Sequence, residues 1–424
     1  MRNSLSDWLH YLEALHPTSI ELGLDRIKRV ADAMHVRHFS CPVVTVAGTN
    51  GKGSNVAMLQ AAAFIGGYRV GAYTSPHLVN YNERICINGE SVSDHQLIEA
   101  FTRVEAARGD ISLTYFEFGT LAALDIFQRN QLDLVILEVG LGGRLDAVNI
   151  VDADISIIAS IGFDHTDWLG NTLEEIAYEK AGVIRSGKSC VVGFREMPLS
   201  LQRTIKEKKA KGFIKGKDFD LHQDGVQWSW RGVGKDGNII EYFDLPLPRI
   251  SIENAATAIQ ALALLPLPFA EPTIKEALQE VNVRGRFQFI EGEPATLLDV
   301  AHNPAAGEFL AEQLQSVSWH NKIHAVVGML GDKDWANTLL PLLPYVSRWY
   351  VAGLNTLVPR GVSAKPLADF LLNAGAAVVG QYVEPISAYK SACKLADDED
   401  LVLVFGSFYT VGEVLGWLEG GKRG

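Results

Sequence analysis

Cysteine is scarce in this sequence of 424 residues. Its 4 cysteines are Cys41, Cys86, Cys190 and Cys393, and no two of them have the spacing of a metal-binding or redox motif. The scarcity excludes a small secreted domain held together by disulfides, in which cysteines are dense. We interpret all four as small buried hydrophobic residues and expect a reduced, cytoplasmic setting.

A basic surplus and long apolar runs are also missing. The 50 acidic and 38 basic residues give a net charge of −12, whereas a nucleic-acid-binding surface needs a basic patch. No apolar run approaches the length of a membrane span, and Met1–Trp8 lacks the apolar core of a secretory leader. We therefore expect a cytoplasmic protein that binds neither nucleic acid nor a membrane.

The length and the alternating pattern predict a two-domain α/β protein. A chain of 424 residues is too long for one ordinary core, and its apolar strands alternate with helices, which is typical of mostly parallel sheets covered on both faces. We predict a P-loop-type, mostly parallel sheet domain with peripheral strands over residues 1–284. A smaller Rossmann-like α/β domain of about five strands follows over residues 285–424, with a linker near 284–294.

One segment predicts a bound nucleoside triphosphate. The apolar run Val43–Ala47 stops at a glycine-rich loop, and a helix-forming run, Val56–Ile65, follows it; the loop reads Gly48-Thr49-Asn50-Gly51-Lys52-Gly53-Ser54. Glycines let backbone N–H groups turn toward phosphate oxygens, and a helix N-terminus favours anions. Lys52 would reach the outer phosphates, and Ser54 would offer its hydroxyl to Mg²⁺. The spacing is a variant, because Val46 stands where a P-loop usually has its first glycine and Gly53 separates the lysine from the serine.

Three polar residues follow other predicted strands. Ser75, Glu138 and His165 come at or just after strand ends, where an open parallel sheet places its ligand-binding residues. Glu138 ends an apolar strand beside the phosphate loop, as a metal-binding Walker-B acid does, although a paired structural carboxylate is the alternative. His165 alone would be a structural histidine, and only its predicted neighbours favour a metal role. The glycines of Gly140–Gly143 indicate close approach of the backbone to a ligand or only a tight turn.

The second domain repeats this pattern. Asp299-Val300-Ala301-His302-Asn303-Pro304 ends one strand and opens a helix, so that Asn303 also fits as a helix cap. Gly331–Asp334 and Gly406–Tyr409 end two further strands. Several such loops together suggest that the second domain closes over the nucleotide of the first.

These motifs together resemble the folate branch of the Mur ligase superfamily. The resemblance covers nearly the whole chain and is carried by the phosphate loop, Thr74–Leu78, Glu138–Asp146, Asp164–Thr166 and Asp299–Pro304. It implies ATP-dependent amide formation, in which a substrate carboxylate becomes an acyl phosphate and the amino group of L-glutamate displaces phosphate. The implied substrates are ATP, L-glutamate, dihydropteroate and reduced folates, and the implied assembly is a monomer.

The resemblance also implies roles for individual residues. Lys180, in Glu179-Lys180-Ala181-Gly182, matches a lysine that this family carboxylates; sequence logic alone would leave it as a surface charge at a helix end. The implied cofactors are ATP and one or two Mg²⁺ ions, with room for a monovalent cation. The implied metal ligands are Ser75, Glu138 and His165. The implied catalytic residues are Lys52, Glu138, His165, Lys180 and His302. The implied ATP contacts are Thr49, Asn50, Gly51, Lys52, Gly53, Ser54, Asn254, Arg286 and Asp299. The implied pterin contacts are Leu22, Gly23, Leu24, Thr114, Tyr115, Phe116, Glu117, Leu145 and Asp146.

Three alternatives remain open from the sequence. A cell-wall Mur ligase usually carries a further N-terminal domain, and only about 40 residues precede the phosphate loop, fewer than an ordinary domain needs. A folate ligase with the polyglutamylating activity alone is the nearest alternative. A nucleotide-dependent switch would not need a second ligand-facing domain. Two small departures from the family pattern, at Val148 and at Gly162-Phe163, leave the details of the pterin pocket open.

Overall fold

The computed structural model describes residues 2–18, 20–225, 227–316 and 321–421. The chain forms two compact units. The first contains the chain up to Pro76 together with Asn82–Val281, and the second contains His77–Tyr81 together with the chain from Asn282 onward. The sequence pattern places the boundary at residue 284 and does not predict the excursion at His77–Tyr81. The outer limits of the predicted domains, residues 1 and 424, lie outside the described residues.

The first unit is built on an eight-stranded sheet. Its strands are β1 (Val43–Ala47), β2 (Val70–Tyr73), β3 (Ile85–Ile87), β4 (Glu90–Ser91), β5 (Leu134–Glu138), β6 (Ile155–Ile158), β7 (Ser189–Val192) and β8 (Lys211–Ile214). Their order is β4-β3-β2-β5-β1-β6-β7-β8; the β2–β3 and β3–β4 pairs are antiparallel, and the other pairs are parallel. β1 lies inside the sheet, and all of its residues are buried. The sequence pattern does not predict β3 and β4, which are too short to show a strand period.

Helices cover this sheet. They are α1 (Leu5–Leu15), α2 (Asp25–Met34), α3 (Lys52–Ile65), α4 (Asp94–Arg108), α5 (Tyr115–Gln128), α6 (Thr166–Leu169), α7 (Leu173–Ala181), α8 (Leu199–Glu207), α9 (Ile252–Leu264) and α10 (Glu271–Glu280). Short 3-10 helices occupy Tyr81–Arg84 and Ala147–Ile150. Reciprocal capping boxes fix the starts of α1, α4, α5 and α7, each with a serine or threonine cap. Most of α5 and α9 is buried, as their apolar sequences require.

The peripheral strands of the first unit form a separate antiparallel sheet. It contains β9 (Asp220–Asp224), β10 (Gln227–Val233) and β11 (Ile239–Pro246), in the order β11-β10-β9. Trp228 and Trp230 on β10 are buried, and the indole nitrogen of Trp230 donates to the carbonyl of Ala256 on α9 at 3.1 Å. This bond joins the small sheet to the helical layer.

The second unit is a six-stranded sheet flanked by helices. Its strands are β12 (Gln288–Ile290), β13 (Ala295–Asp299), β14 (Ile323–Val327), β15 (Arg348–Ala352), β16 (Val378–Tyr382) and β17 (Leu401–Phe405). Its helices are α11 (Pro304–Ser316), α12 (Trp335–Leu339), α13 (Ala364–Asn373), α14 (Pro385–Leu395) and α15 (Phe408–Gly421), with a 3-10 helix at Leu340–Leu342. The strand order is β12-β13-β17-β14-β15-β16. The predicted five strands are the parallel ones; β12 pairs antiparallel with β13 and has only three residues, too few for a sequence pattern.

In the part of the chain that the structure describes, no helix is both long enough and apolar enough to cross a membrane.

A buried polar network lies inside the second unit. His324 on β14 is fully buried; its Nε2 lies 3.1 Å from Asp400 Oδ2, and its Nδ1 lies 3.0 Å from the Tyr350 hydroxyl on β15. Asp400 also accepts from the backbone N–H groups of Lys322 and Asp397, so this carboxylate joins the starts of β14 and β17. Burial lowers the pKa of His324, and the neighbouring Asp400 carboxylate only partly opposes that effect.

We predict that this histidine makes stability depend on pH on the acid side. His324 binds a proton more readily in the unfolded chain than in the native fold, where it is buried. The stabilising contribution of the buried neutral histidine is therefore complete above about pH 6.5 and declines as the pH falls further. The pH dependence of the thermal unfolding midpoint between neutral and mildly acidic pH should therefore be shallower in His324→Phe than in the wild type. His95→Phe, at an exposed histidine, is the matched control and should keep the wild-type slope. Equal slopes in all three proteins would contradict the prediction.

Candidate active site

The phosphate loop lies at the carboxyl end of β1, between two parallel neighbours. β1 pairs with β5 on one side, where Val46 is opposite Glu138, and with β6 on the other, where Ala47 is opposite Ile158. The loop passes into α3 at Gly51, whose φ of 82° is a left-handed conformation that favours glycine. Lys52 folds over the loop, and its ammonium donates to the carbonyls of Gly48 at 3.0 Å and Thr49 at 3.3 Å.

The segment after β6 holds the first half of this loop. The hydroxyl of Ser160 accepts from the N–H of Asn50 at 2.9 Å and donates to its carbonyl at 3.0 Å. The Thr49 hydroxyl in turn donates to the carbonyl of Gly162 and accepts from its N–H, both at 3.0 Å. Sequence reasoning misses Ser160, because its partners are about a hundred residues away and only pairing of β1 with β6 brings them together.

Asn254, a predicted ATP contact, lies against the phosphate loop. It is in the first turn of α9, and a Cβ added to Gly51 would collide with its amide. Gly51 is therefore required by its positive φ and by this close approach. Gly53 differs, since a Cβ there would meet no atom within 4 Å in this structure, and Ser54 lies beside it in the first turn of α3.

Two of the three predicted metal ligands lie together. The backbone N–H of Ser75 donates to Glu138 Oε2 at 3.2 Å, and Glu138 is buried at the end of β5. Their oxygens suit Mg²⁺ or Mn²⁺, and an imidazole is a better ligand for Mn²⁺. His165 caps α6 with a φ of 52°, and its Nε2 lies 4.0 Å from Asp164 Oδ1. Among the described residues, no three His, Cys, Asp or Glu side chains are grouped to hold a metal, and the predicted set has two of these and a serine.

Charged residues of both signs surround the loop lysine. Burial lowers the pKa of Lys180, at the end of α7, to about 7; the nearby Lys52 ammonium acts in the same direction, and the carboxylates of Asp164 and Asp146 oppose it. Burial raises the pKa of Asp146 to about 6, although it accepts backbone N–H bonds from Leu141 at 2.8 Å and Val148 at 3.0 Å. Lys180 is therefore a buried amine that is partly neutral at neutral pH, rather than a surface charge at a helix end.

The glycine-rich segment after β5 packs against protein. A Cβ on Gly140 would lie 2.6 Å from Cζ of the Phe116 ring, and a Cβ on Gly143 would lie 3.0 Å from the carbonyl oxygen of Lys180. The side chain of Arg144 then pairs with Glu179 at 2.8 Å. At these two glycines the backbone approaches protein atoms, so the predicted approach to a ligand stays a prediction.

The predicted pterin segments meet at the start of α5. Thr114 caps this helix, and Glu117 closes the capping box while pairing with Arg26 Nε through both carboxylate oxygens at 2.8 Å. Arg26 is in the first turn of α2, so this pair brings Leu22–Leu24 close to α5. The Arg84 guanidinium lies 5.6 Å from the centre of the Tyr115 ring.

The other predicted pterin contacts lie nearer the sheet. Phe116 stacks on Tyr73 of β2 at a ring-centre distance of 5.9 Å. Leu145 directly precedes Asp146 in the segment after β5. Asp146 bonds to the backbone of its own loop, as described above.

In the second unit, the predicted residues gather at the end of β13. Asp299 accepts from the N–H groups of Phe287 and Ala301, both at 2.8 Å, and burial raises its pKa while Arg286 opposes the shift. His302 Nδ1 donates to the Val300 carbonyl at 2.8 Å, because a carbonyl oxygen can only accept. The rings of Phe408 and His302 are 6.0 Å apart, and the Arg286 guanidinium is 5.7 Å from the Phe408 ring.

Comparison with known proteins gives the family. The model of the Mur ligase, glutamate ligase domain, matches residues 285–408. The dihydrofolate synthase/folylpolyglutamate synthase of Escherichia coli (strain K12) is 43% identical over 425 residues, which cover 99% of this chain and 97% of that protein. The chain belongs to the dihydrofolate synthase/folylpolyglutamate synthase family. The Bacillus subtilis (strain 168) protein of the same name is 31% identical and covers 93% of the chain and 94% of its own length.

Solved structures agree with this family. The E. coli FolC structure in complex with DHPP and ADP has a TM-score of 0.92, 42% identity and 99% coverage of both chains. A bifunctional folylpolyglutamate synthase/dihydrofolate synthase with Mn, AMPPNP and L-glutamate bound has a TM-score of 0.90, 45% identity and 98% coverage of both chains. The predicted two-part α/β fold and the resemblance stated from the motifs are thereby confirmed.

We predict that Gly51→Ala weakens nucleotide binding. The new methyl group would meet the Asn254 amide at a positive φ, so the loop must shift, and the affinity for ADP should fall about tenfold or more. Gly67→Ala is the matched control: it has the same φ of 82° at the other end of α3, and its Cβ would meet nothing within 4 Å. Calorimetric titration with ADP measures both variants. Equal losses of affinity would show that backbone strain, and not the contact with Asn254, explains the effect.

Proposed function

We propose that this chain is an ATP-dependent ligase that joins L-glutamate to dihydropteroate and to reduced folates. The observation that carries the proposal is the phosphate loop beside Glu138 and Lys180, in a chain with 43% identity to a dihydrofolate synthase/folylpolyglutamate synthase over 99% of its length. The reaction has two steps. A substrate carboxylate oxygen attacks the γ-phosphorus of ATP and ADP leaves, and the glutamate amine then attacks the acyl carbon, loses a proton and expels phosphate.

The first unit supplies the nucleotide site in this proposal. Backbone N–H groups of the loop and the N-terminus of α3 face the phosphates, and Lys52 exchanges its carbonyl partners for phosphate oxygens. The remaining loop residues, Thr49, Asn50, Gly51, Gly53 and Ser54, shape this cradle, and Asn254 contacts the nucleotide from α9. Catalysis then depends on positioning and on neutralising charge.

We propose that the protein binds one or two Mg²⁺ ions and that one of them is held by Ser75, Glu138 and His165. A divalent ion so held would neutralise charge on the transferred phosphoryl group. A monovalent cation is a further proposed ligand. The Mn in a solved relative supports a divalent site in the family.

Lys180 is proposed to carry a carbamate. A neutral amine attacks CO₂, a proton leaves the nitrogen, and the product is an anion, whereas an ammonium has no lone pair for this bond. The burial of Lys180 and the nearby Lys52 both favour the neutral amine. The carbamate would give the site a further oxygen ligand for a second Mg²⁺.

The remaining roles are proposed from the family motifs. Arg286 and Asp299 contact ATP, and His302 takes part in catalysis. Leu22–Leu24, Thr114–Glu117 and Leu145–Asp146 form the pterin site. We also propose that the protein is a cytoplasmic monomer whose partners are small molecules, without nucleic acid or membrane.

The activity assay separates the two reactions. With MgATP and L-glutamate, we expect release of ADP and phosphate with either dihydropteroate or tetrahydrofolate, because one site activates both carboxylates. Omission of glutamate is the control and should abolish sustained turnover. Silence with dihydropteroate alone would leave only polyglutamylation, and silence with both substrates would reject the proposal.

Lys180→Ala should separate turnover from nucleotide binding. If a carbamate at this position completes the metal site, kcat falls by about 10²-fold or more while ADP affinity stays within about threefold of the wild type. Carbon NMR of protein equilibrated with labelled bicarbonate should show a carbamate signal that this variant lacks. Lys188→Ala, at a lysine whose side chain is half-exposed, is the control and should keep both signal and turnover. Turnover like that of the wild type in Lys180→Ala would remove the carbamate from the mechanism.

A further inference from the structure

A fully buried asparagine lies beneath the phosphate loop. Asn55 is in the first turn of α3, and its neighbours Val56, Met58 and Leu59 are buried apolar residues. Its Nδ2 donates to the Gly51 carbonyl at 2.9 Å and to Asn254 Oδ1 at 3.2 Å. Its Oδ1 is buried and has no hydrogen-bond partner among the described residues. One amide nitrogen thus joins the loop to α9.

The chemistry of these contacts determines the orientation of both amides. The Gly51 carbonyl can only accept, so the Asn55 atom that faces it must be the nitrogen. The same nitrogen faces Asn254, which must therefore present its oxygen. The Nδ2 of Asn254 is then left to donate elsewhere, and it lies close to the loop, 3.1 Å from the position of a Cβ on Gly51.

The unpaired oxygen shows that this amide is not the best side chain for stability alone. A buried oxygen without a donor has a desolvation cost that an apolar side chain of similar size would avoid. The Asn55 amide does provide the N–H₂ donor that the Gly51 carbonyl and the Asn254 oxygen share. The role of Asn55 is therefore to hold the loop and Asn254 in place.

We propose that Asn55 is a positioning residue of the nucleotide site, which holds the Gly51 carbonyl and the Asn254 oxygen at once and so directs the Asn254 N–H₂ toward the nucleotide. The inference rests on the proposed function, because it gives Asn254 its orientation for ATP. Asn55 itself lies under the loop and acts through Asn254. Its effect should therefore disappear once Asn254 has lost its amide.

A double-mutant cycle on ADP affinity tests this inference. Asn55→Ala and Asn254→Ala should each weaken ADP binding about 3- to 10-fold, the range of one or two lost hydrogen bonds. The double variant should bind ADP no more weakly than Asn254→Ala, because the two residues act in series. In steady-state assays, Asn55→Ala should raise the KM for ATP and leave the KM for glutamate unchanged, which a general loss of structure would not do.

Thr45→Val is the matched control. Thr45 on β1 is also buried, and its hydroxyl likewise has no hydrogen-bond partner in the described part of the chain. Loss of this polar atom should leave ADP affinity unchanged. If Asn55→Ala does not fold, Asn55→Leu fills the same space and takes its place in the cycle.

The outcomes distinguish the inference from the proposed function. Multiplying effects in the double variant, or ADP affinity unchanged in Asn55→Ala, would overturn the positioning role while the ligase proposal stands. ADP affinity unchanged in Asn254→Ala would overturn both the role of Asn254 and the inference. A wild-type protein that neither binds ADP nor ligates glutamate would instead overturn the proposed function.

Discussion

Parallel pairing of β1 with both β5 and β6 determines where the candidate residues of the first unit lie. Because the three strands run the same way, their carboxyl ends meet at one edge, and the loops after them come within hydrogen-bonding distance. Glu138, the phosphate loop and Ser160 all depend on this register. Slippage of β6 by one residue would turn its side chains to the other face and separate Ser160 from Asn50.

Charged side chains are grouped at the same edge of the sheet, and their burial strengthens the interactions between them. The Lys52 ammonium disfavours a positive charge on Lys180, while the carboxylates of Asp146 and Asp164 favour it, so charges of both signs are balanced at the site. If Lys180 becomes a carbamate, the balance turns negative just where the proposed γ-phosphate and Glu138 also lie. A divalent cation held by Ser75, Glu138 and His165 would offset this negative charge, because repulsion between like charges is strong in a water-poor site.

Features that depend on neighbouring residues can be predicted from this sequence, whereas features that depend on contacts between distant residues cannot. The strand, loop and helix of Val43–Ile65 follow from local residue types, and Glu138 follows from its place at the end of an apolar strand. Lys180 does not, because its burial depends on tertiary packing around the end of α7, where Gly143 lies against the backbone. Asn55 looks like an ordinary helix residue until α9, about two hundred residues later, places Asn254 beside it. Very short strands such as β12 are missed because three residues show no period.

In the segment Thr114–Glu117, three of the four residues support the local structure. The Thr114 hydroxyl and the Glu117 carboxylate are buried in the capping box, and Glu117 also holds Arg26. Phe116 stacks on Tyr73 and fills the space left by Gly140. Tyr115 is half-buried, as Phe116 is, and the Arg84 guanidinium lies 5.6 Å from the centre of its ring. We therefore infer that Thr114 and Glu117 serve the proposed pterin site by fixing the start of α5.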